Sequence, residues 1–210
     1  MPPAIKAIFL YGLTQDELAS LELPIGSMTK AEVRAAAERM ELPTAHKPES
    51  QDICFVPDGD AAGFVTRHAG ERTRPGLVVT REGETLGEHE GLHSFTVGQR
   101  KGLGIPYKLP LYVSELRPEK NEVVVGPVEE IYRDEFRIER ASWVSDVPLS
   151  GEVLTVRVRH RHAGTACRIV TGDHAVVVKA IEPVRAPAPG QAAVFYRDED
   201  VVGGGTIVRS

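Results

Sequence analysis

What most limits the fold of this 210-residue chain is a succession of short strand-like segments that begins near residue 76. Leu77-Val-Val-Thr80 and Thr85-Leu86 flank Glu82-Gly83-Glu84, a hairpin signal. Leu111-Tyr-Val-Ser-Glu-Leu116 and Glu122-Val-Val-Val125 flank the turn Pro118-Glu-Lys-Asn121. Further strands are expected at about 135–144, 152–161, 166–171, 174–182, 192–197 and 200–208. Turn signals separate them at short intervals, a pattern that suits a small barrel or sandwich. Within residues 154–162, Leu154, Val156, Val158 and His160 share one face of a strand, while Thr155, Arg157, Arg159 and Arg161 share the other. Alternation also turns Cys167 inward beside Ile169, as core packing. Gly203-Gly-Gly205 marks a tight or bulged last strand whose backbone is approached closely.

The first 45 residues read differently. Thr14-Gln-Asp-Glu17 and Thr29-Lys-Ala-Glu32 are capping boxes, in which the threonine hydroxyl and the glutamate carboxylate satisfy each other's backbone N–H. Leu23-Pro24-Ile25-Gly26 breaks the chain between them, and Pro43 stands beyond the second helix. Two short helices bury little by themselves. They read as the tail of a larger α/β unit leading into a buried strand at 52–56. The expected class is therefore α+β, mostly β, with a break near residue 128.

Composition narrows the function classes. Hydrophobic residues make up 41% and charged residues 26% of the chain, which supports a water-exposed surface around a real core. No apolar run approaches the roughly 20 residues that cross a bilayer. Met1-Pro2-Pro3-Ala4-Ile5-Lys6 lacks the long apolar region of a signal peptide, and two cysteines far apart make no disulfide framework. A reducing cytoplasm is the expected setting. A net charge of −5 argues against indiscriminate nucleic-acid binding. Residues 151–185 nevertheless hold six cations against three anions, so a polyanion would be gripped locally.

Four constellations can carry chemistry. Cys54 lies in Lys47-Pro-Glu-Ser-Gln-Asp-Ile-Cys-Phe-Val-Pro-Asp-Gly59, on a short apolar segment between a polar lead-in and a turn. It is either a small buried hydrophobe or a sulfur carrier. Asp52, on the same strand face, would raise a thiol pKa, although a persulfide needs less help to be nucleophilic. His89-Glu90-Gly91-Leu92-His93 matches a zinc-hydrolase pattern, but that chemistry needs a helix and a third ligand. Gly91 inside the string and Gly87 and Gly98 beside it argue for solvated loop histidines and no metal. Gly98-Gln99-Arg100-Lys101-Gly102-Leu103-Gly104 is a glycine-bounded cationic loop without Walker or dinucleotide spacing. It offers donors to a nucleic acid, or is simply solvated. Arg157, Arg159 and Arg161, roughly 6.6 Å apart on a strand, form a row that could follow a phosphate backbone or face water.

Phe9-Leu-Tyr-Gly-Leu-Thr14, Ser50-Gln-Asp-Ile-Cys-Phe55, the Gly98–Gly104 loop, Pro189-Gly-Gln191 with Ala193-Val-Phe-Tyr196, and Gly203-Gly-Gly205 together resemble the tRNA-uridine 2-sulfurtransferases, in that family's order. The resemblance implies that ATP adenylates the C2 oxygen of a wobble uridine, and that a cysteine persulfide, here on Cys54 with Asp52 in support, delivers sulfur to C2. It further implies tRNA contacts by Arg159, with His160 departing from the family's aromatic, and by Gln191. Gln99, Arg100, Lys101, Arg157 and Arg161 are candidates for the same role. It implies three parts: the end of a catalytic domain at 1–57, a small central domain at 58–127, and a C-terminal antiparallel barrel at 128–210. The family's Ser-Gly-Gly-x-Asp-Ser nucleotide loop and first catalytic cysteine have no counterpart here, and Ala4-Ile5-Lys6 stands where the family has Lys-Asp-Gln. The expected partners are tRNA, a sulfur donor protein (a desulfurase or relay) and an N-terminal half that binds ATP. A non-catalytic RNA-binding module is the alternative from another class, and a zinc hydrolase on His89 and His93 the third.

Overall fold

The computed structural model describes residues 10–47, 56, 59–69, 73–144, 146–159, 162–172 and 175–209. Both capping boxes form. Thr14 caps α1 (Gln15–Ser20) and Thr29 caps α2 (Lys30–Arg39), each hydroxyl accepting from the N–H of the glutamate three residues on. Neither helix has a buried residue. The segment is held instead by contacts with the distant barrel: the Gln15 amide donates to the Val144 carbonyl, and Tyr11 lies against Gly204. The expected strand at 52–56 falls outside the described residues except for Val56, which is buried.

A third helix, α3 (Ala61–Ala69), was not expected from the sequence. Asp60 starts it by accepting from the Gly63 N–H at 2.8 Å. A four-stranded sheet follows, built from β1 (Gly76–Val79), β2 (Thr85–His89), β3 (Tyr112–Arg117) and β4 (Glu122–Gly126), in the order β2-β1-β4-β3. Both predicted hairpins are present, and they join through a parallel β1–β4 pair that local patterning does not reveal. Asn121 ends the β3–β4 turn with φ +56, and its side-chain amide donates to the Pro75 carbonyl at 2.6 Å, fixing where β1 begins. Val78, Val113, Val123 and Val125 form the core of this sheet.

The remaining strands close into a barrel. These are β5 (Tyr132–Trp143), β6 (Val153–Arg157), β7 (Thr165–Thr171), β8 (Val176–Arg185), β9 (Ala192–Arg197) and β10 (Asp200–Val208). They run β10-β5-β8-β7-β6-β9 around the circle, every pair antiparallel, so no strand edge is left open. Leu154, Val156, Cys167, Ile169 and Phe195 fill the interior, as alternation requires.

Two expectations need correction. The strand expected at 152–161 stops at Arg157, because the chain bends at Val158–Arg159. Arg157 and Arg159 therefore do not stand in one evenly spaced row, and Arg161 lies outside the described residues. His89 is not a solvated loop residue: it ends β2 with 5% exposure.

Candidate functional site

Cys54 and Asp52 lie outside the described residues, as do His160 and Arg161. On the near side of that stretch, Val56 is buried and its carbonyl accepts from the Gly59 N–H at 3.2 Å. The second thiol is chemically quiet. Cys167 is fully buried between β6 and β8, and burial pushes its pKa up to about 12, so no thiolate forms at neutral pH.

The Gly98–Gly104 loop is pinned to β3. The Gly98 N–H donates to the Val113 carbonyl at 2.7 Å, and the Val113 N–H donates to the Gln99 carbonyl at 2.9 Å. Gln99 uses its side chain inside the loop: Oε1 accepts from the Thr96 N–H at 2.9 Å and Nε2 donates to the Lys101 carbonyl at 3.0 Å. Leu103 and Ile105 pack against the sheet core, while Arg100 and Lys101 are exposed. Gln99 thus shapes the loop, and the two cations are what it presents.

Arg159 reaches out of the barrel to this loop. Its Nη2 donates to the Val97 carbonyl at 2.7 Å and to the Ala186 carbonyl at 3.2 Å. Burial, and then the neighbouring Arg185, push its pKa below the usual arginine value. Gly98 has φ +87, and a Cβ there would come within 2.7 Å of the Ala186 Cβ and 3.2 Å of Arg159 Nη2. Glycine is therefore favoured by conformation and by the close approach of the Ala186 Cβ. Arg157 lies over the Tyr196 ring with its guanidinium carbon 4.6 Å from the centroid.

Gln191 follows the Pro189–Gly190 turn, where Gly190 has φ +85. It lines a cleft of about 620 Å³ between sheet and barrel, with Val97, Phe136, Ala186 and Ile207 among the walls. Gln191 Oε1 is buried there and has no hydrogen-bond partner among the described residues. Arg159, Gln191 and the Gly98 loop, separated in sequence, thus meet at one junction. Sequence reading missed the backbone carbonyls of Val97 and Ala186 as the partners of Arg159. No side-chain pattern marks such acceptors; the one local hint is the prolines that follow Ala186 and Ala188.

The two histidines of the zinc pattern sit on different elements. His89 Nε2 is 3.2 Å from the Asn121 carbonyl, and His93 Nε2 is 3.0 Å from Thr66 Oγ1. A 3-10 turn at Leu92–Ser94 replaces the helix that the pattern requires. Among the described residues, no three His, Cys, Asp or Glu side chains converge to hold a metal ion.

Fold and junction define a modular α+β protein, mostly β, in which a closed barrel meets a small sheet across a cleft of mixed polar and apolar lining. Three family models match it in series: a tRNA methyl transferase HUP domain at residues 6–58, a tRNA methyl transferase PRC-barrel domain at 62–127, and an aminomethyltransferase β-barrel domain at 133–207. The chain is 44% identical over 203 residues to the tRNA-specific 2-thiouridylase of Lachnoclostridium phytofermentans, covering 95% of this chain and 57% of that protein. It is 43% identical over 211 residues to that of Acidobacterium capsulatum, with 95% and 56% covered. A second thiouridylase of Syntrophus aciditrophicus is 41% identical over 224 residues, covering 96% of this chain and 66% of its own length. The chain belongs to the tRNA-specific 2-thiouridylase family, and it spans little more than half the length of most of these relatives. Among the described residues no helix is long and apolar enough to cross a membrane.

Proposed function

We propose that the chain is the sulfur-carrying and tRNA-binding portion of a tRNA-uridine 2-sulfurtransferase, working in the cytoplasm. The observation that carries this is identity above 40%, over nearly the whole chain, to proteins named tRNA-specific 2-thiouridylase. In this reading residues 1–57 end the catalytic domain, 58–127 form the central domain, and 128–210 are the tRNA-binding barrel. ATP is a substrate. A nucleotide-binding half, for which residues 1–210 hold no Ser-Gly-Gly-x-Asp-Ser loop, transfers AMP from ATP to the C2 oxygen of uridine and releases pyrophosphate. Cys54 carries the persulfide, loaded by a sulfur donor protein. Its outer sulfur forms the C–S bond at C2 as the C–O bond to AMP breaks. A second thiol, supplied by the nucleotide-binding half, then cleaves the S–S bond and leaves a disulfide with Cys54. Arg100, Lys101, Arg157, Arg161, His160 and Gln191 bind tRNA. Arg159 serves that surface from the junction, and Gln99 shapes the loop.

The test is intact-mass analysis after incubation with a cysteine desulfurase and cysteine. One reducible sulfur is expected on the wild-type chain and on Cys167→Ser, and none on Cys54→Ser. The chain by itself is expected to consume no ATP. No adduct on wild type, or an adduct that survives Cys54→Ser, overturns the persulfide role. If Cys54→Ser also leaves thiolation intact once the nucleotide-binding half is supplied, the chain is an RNA-binding module.

A further inference from the structure

Between Glu90 and Glu115 the chain contains no Asp or Glu, its longest acid-free stretch, although it carries 30 acidic residues in all. That stretch holds Arg100, Lys101 and Lys108, all exposed. Its framework is fixed. Leu103, Ile105 and Leu111 are anchored in the sheet core, Gln99 closes the loop from within, and Arg159 tethers its start at Val97. Pro106 and Pro110 bracket Tyr107-Lys108-Leu109 and restrict its backbone. Tyr107 is 51% exposed and Leu109 64% exposed, whereas Leu103, Ile105 and Leu111 turn into the sheet core. Arg100, Tyr107 and Lys108 line one shallow groove of about 660 Å³.

An exposed aromatic ring beside cations that make no ion pair among the described residues, on a backbone already anchored, suits one ligand chemistry: a single-stranded nucleotide. Its base stacks on the ring and its phosphates meet the cations. A duplex would leave the ring unused, because its bases are already stacked. We propose that this groove binds an unpaired nucleotide of RNA, with the base on Tyr107 and the flanking phosphates on Arg100 and Lys108. The inference rests on the tRNA reading above and extends it to residues Tyr107 and Lys108.

Fluorescence anisotropy with the 210-residue chain tests it, using an unmodified tRNA transcript, a mixed-sequence single-stranded RNA and a blunt RNA duplex of equal length. Tyr107→Ala should weaken tRNA and single-strand binding about 5- to 150-fold without changing the salt dependence, and Tyr107→Phe should keep wild-type affinity. Arg100→Gln and Lys108→Gln should each make the log–log salt slope shallower by about 0.7. Wild-type tRNA affinity in Tyr107→Ala, or equal weakening on the duplex, overturns the groove assignment and leaves the tRNA reading standing. A Tyr107→Ala chain that binds RNA normally but no longer associates with the nucleotide-binding half makes the groove a protein interface and overturns the proposal. A wild-type chain that binds no RNA at all overturns both readings together.

Discussion

His89 is a charge-bearing side chain held in a place that disfavours its charge. Nε2 faces the Asn121 carbonyl, Nδ1 is buried and has no partner among the described residues, and the ring packs edge-on to Phe95 with 5.5 Å between centroids. Burial lowers its pKa from the ordinary 6.5, the Asn121 carbonyl opposes that shift, and His93 adds to it. The unfolded chain therefore binds a proton at higher pH than the folded one. The stability contributed by the neutral ring is complete above the unfolded value and is lost as pH falls through 6.5 and then through the lower folded value. His162, lowered by burial and then by Arg157 and Arg159, acts in the same direction. The thermal midpoint should fall between about pH 7 and pH 5, and His89→Gln should flatten that fall. An unchanged pH profile in the variant would remove His89 as the cause.

Element by element, β10 shows how glycine lets one strand serve two neighbours. Its pairing shifts register twice, against β9 after Val201 and against β5 after Gly204. At Gly203 a side chain would strike the Ser142 carbonyl and come within 2.6 Å of the Trp143 ring. At Gly204 it would meet the Tyr11 ring at 2.6 Å and the Ala193 carbonyl at 2.7 Å. Backbone oxygens give way poorly, so Gly204→Ala should cost about 1–3 kcal/mol, measured as a lower urea midpoint. It should also loosen the N-terminal segment that Tyr11 seats on the barrel, read as faster amide exchange around residues 11–20. A variant as stable as wild type would mean that β10 shifts to accommodate the methyl group.

Across the whole molecule, arginines of the barrel hold the sheet. Arg159 donates to the Val97 carbonyl, Arg185 lies 5.7 Å from the Tyr112 ring centroid, and Arg209 pairs with Glu119 at 2.8 Å. Of these, Arg159 bears most directly on the proposed tRNA surface, because it tethers the start of the cationic loop. Arg159→Ala should leave both cores folded while trypsin cuts faster after Arg100 and Lys101 in the absence of RNA, since the loop loses a charge-assisted tether of about 1–3 kcal/mol. Arg159→Lys should restore the tether only in part, because an ammonium lacks the planar fork. Wild-type cleavage kinetics in Arg159→Ala would remove Arg159 as the residue that fixes the loop.

Features set by neighbours in sequence were legible from the residues alone. Thr14–Glu17 and Thr29–Glu32 bond within a single turn, and the inward set Leu154, Val156, Cys167 and Ile169 follows from the two-residue strand period. The family was legible for the same reason, since its motifs are contiguous strings. The antiparallel barrel expected at the C-terminal end is present, but tertiary structure alone decided the order in which its strands meet and that β1 runs parallel to β4. It also decided that Arg159 faces two carbonyls and that His89 is buried beneath Asn121. Each of these joins groups far apart in the chain through backbone atoms, which every residue type carries alike, so no side-chain pattern could announce them.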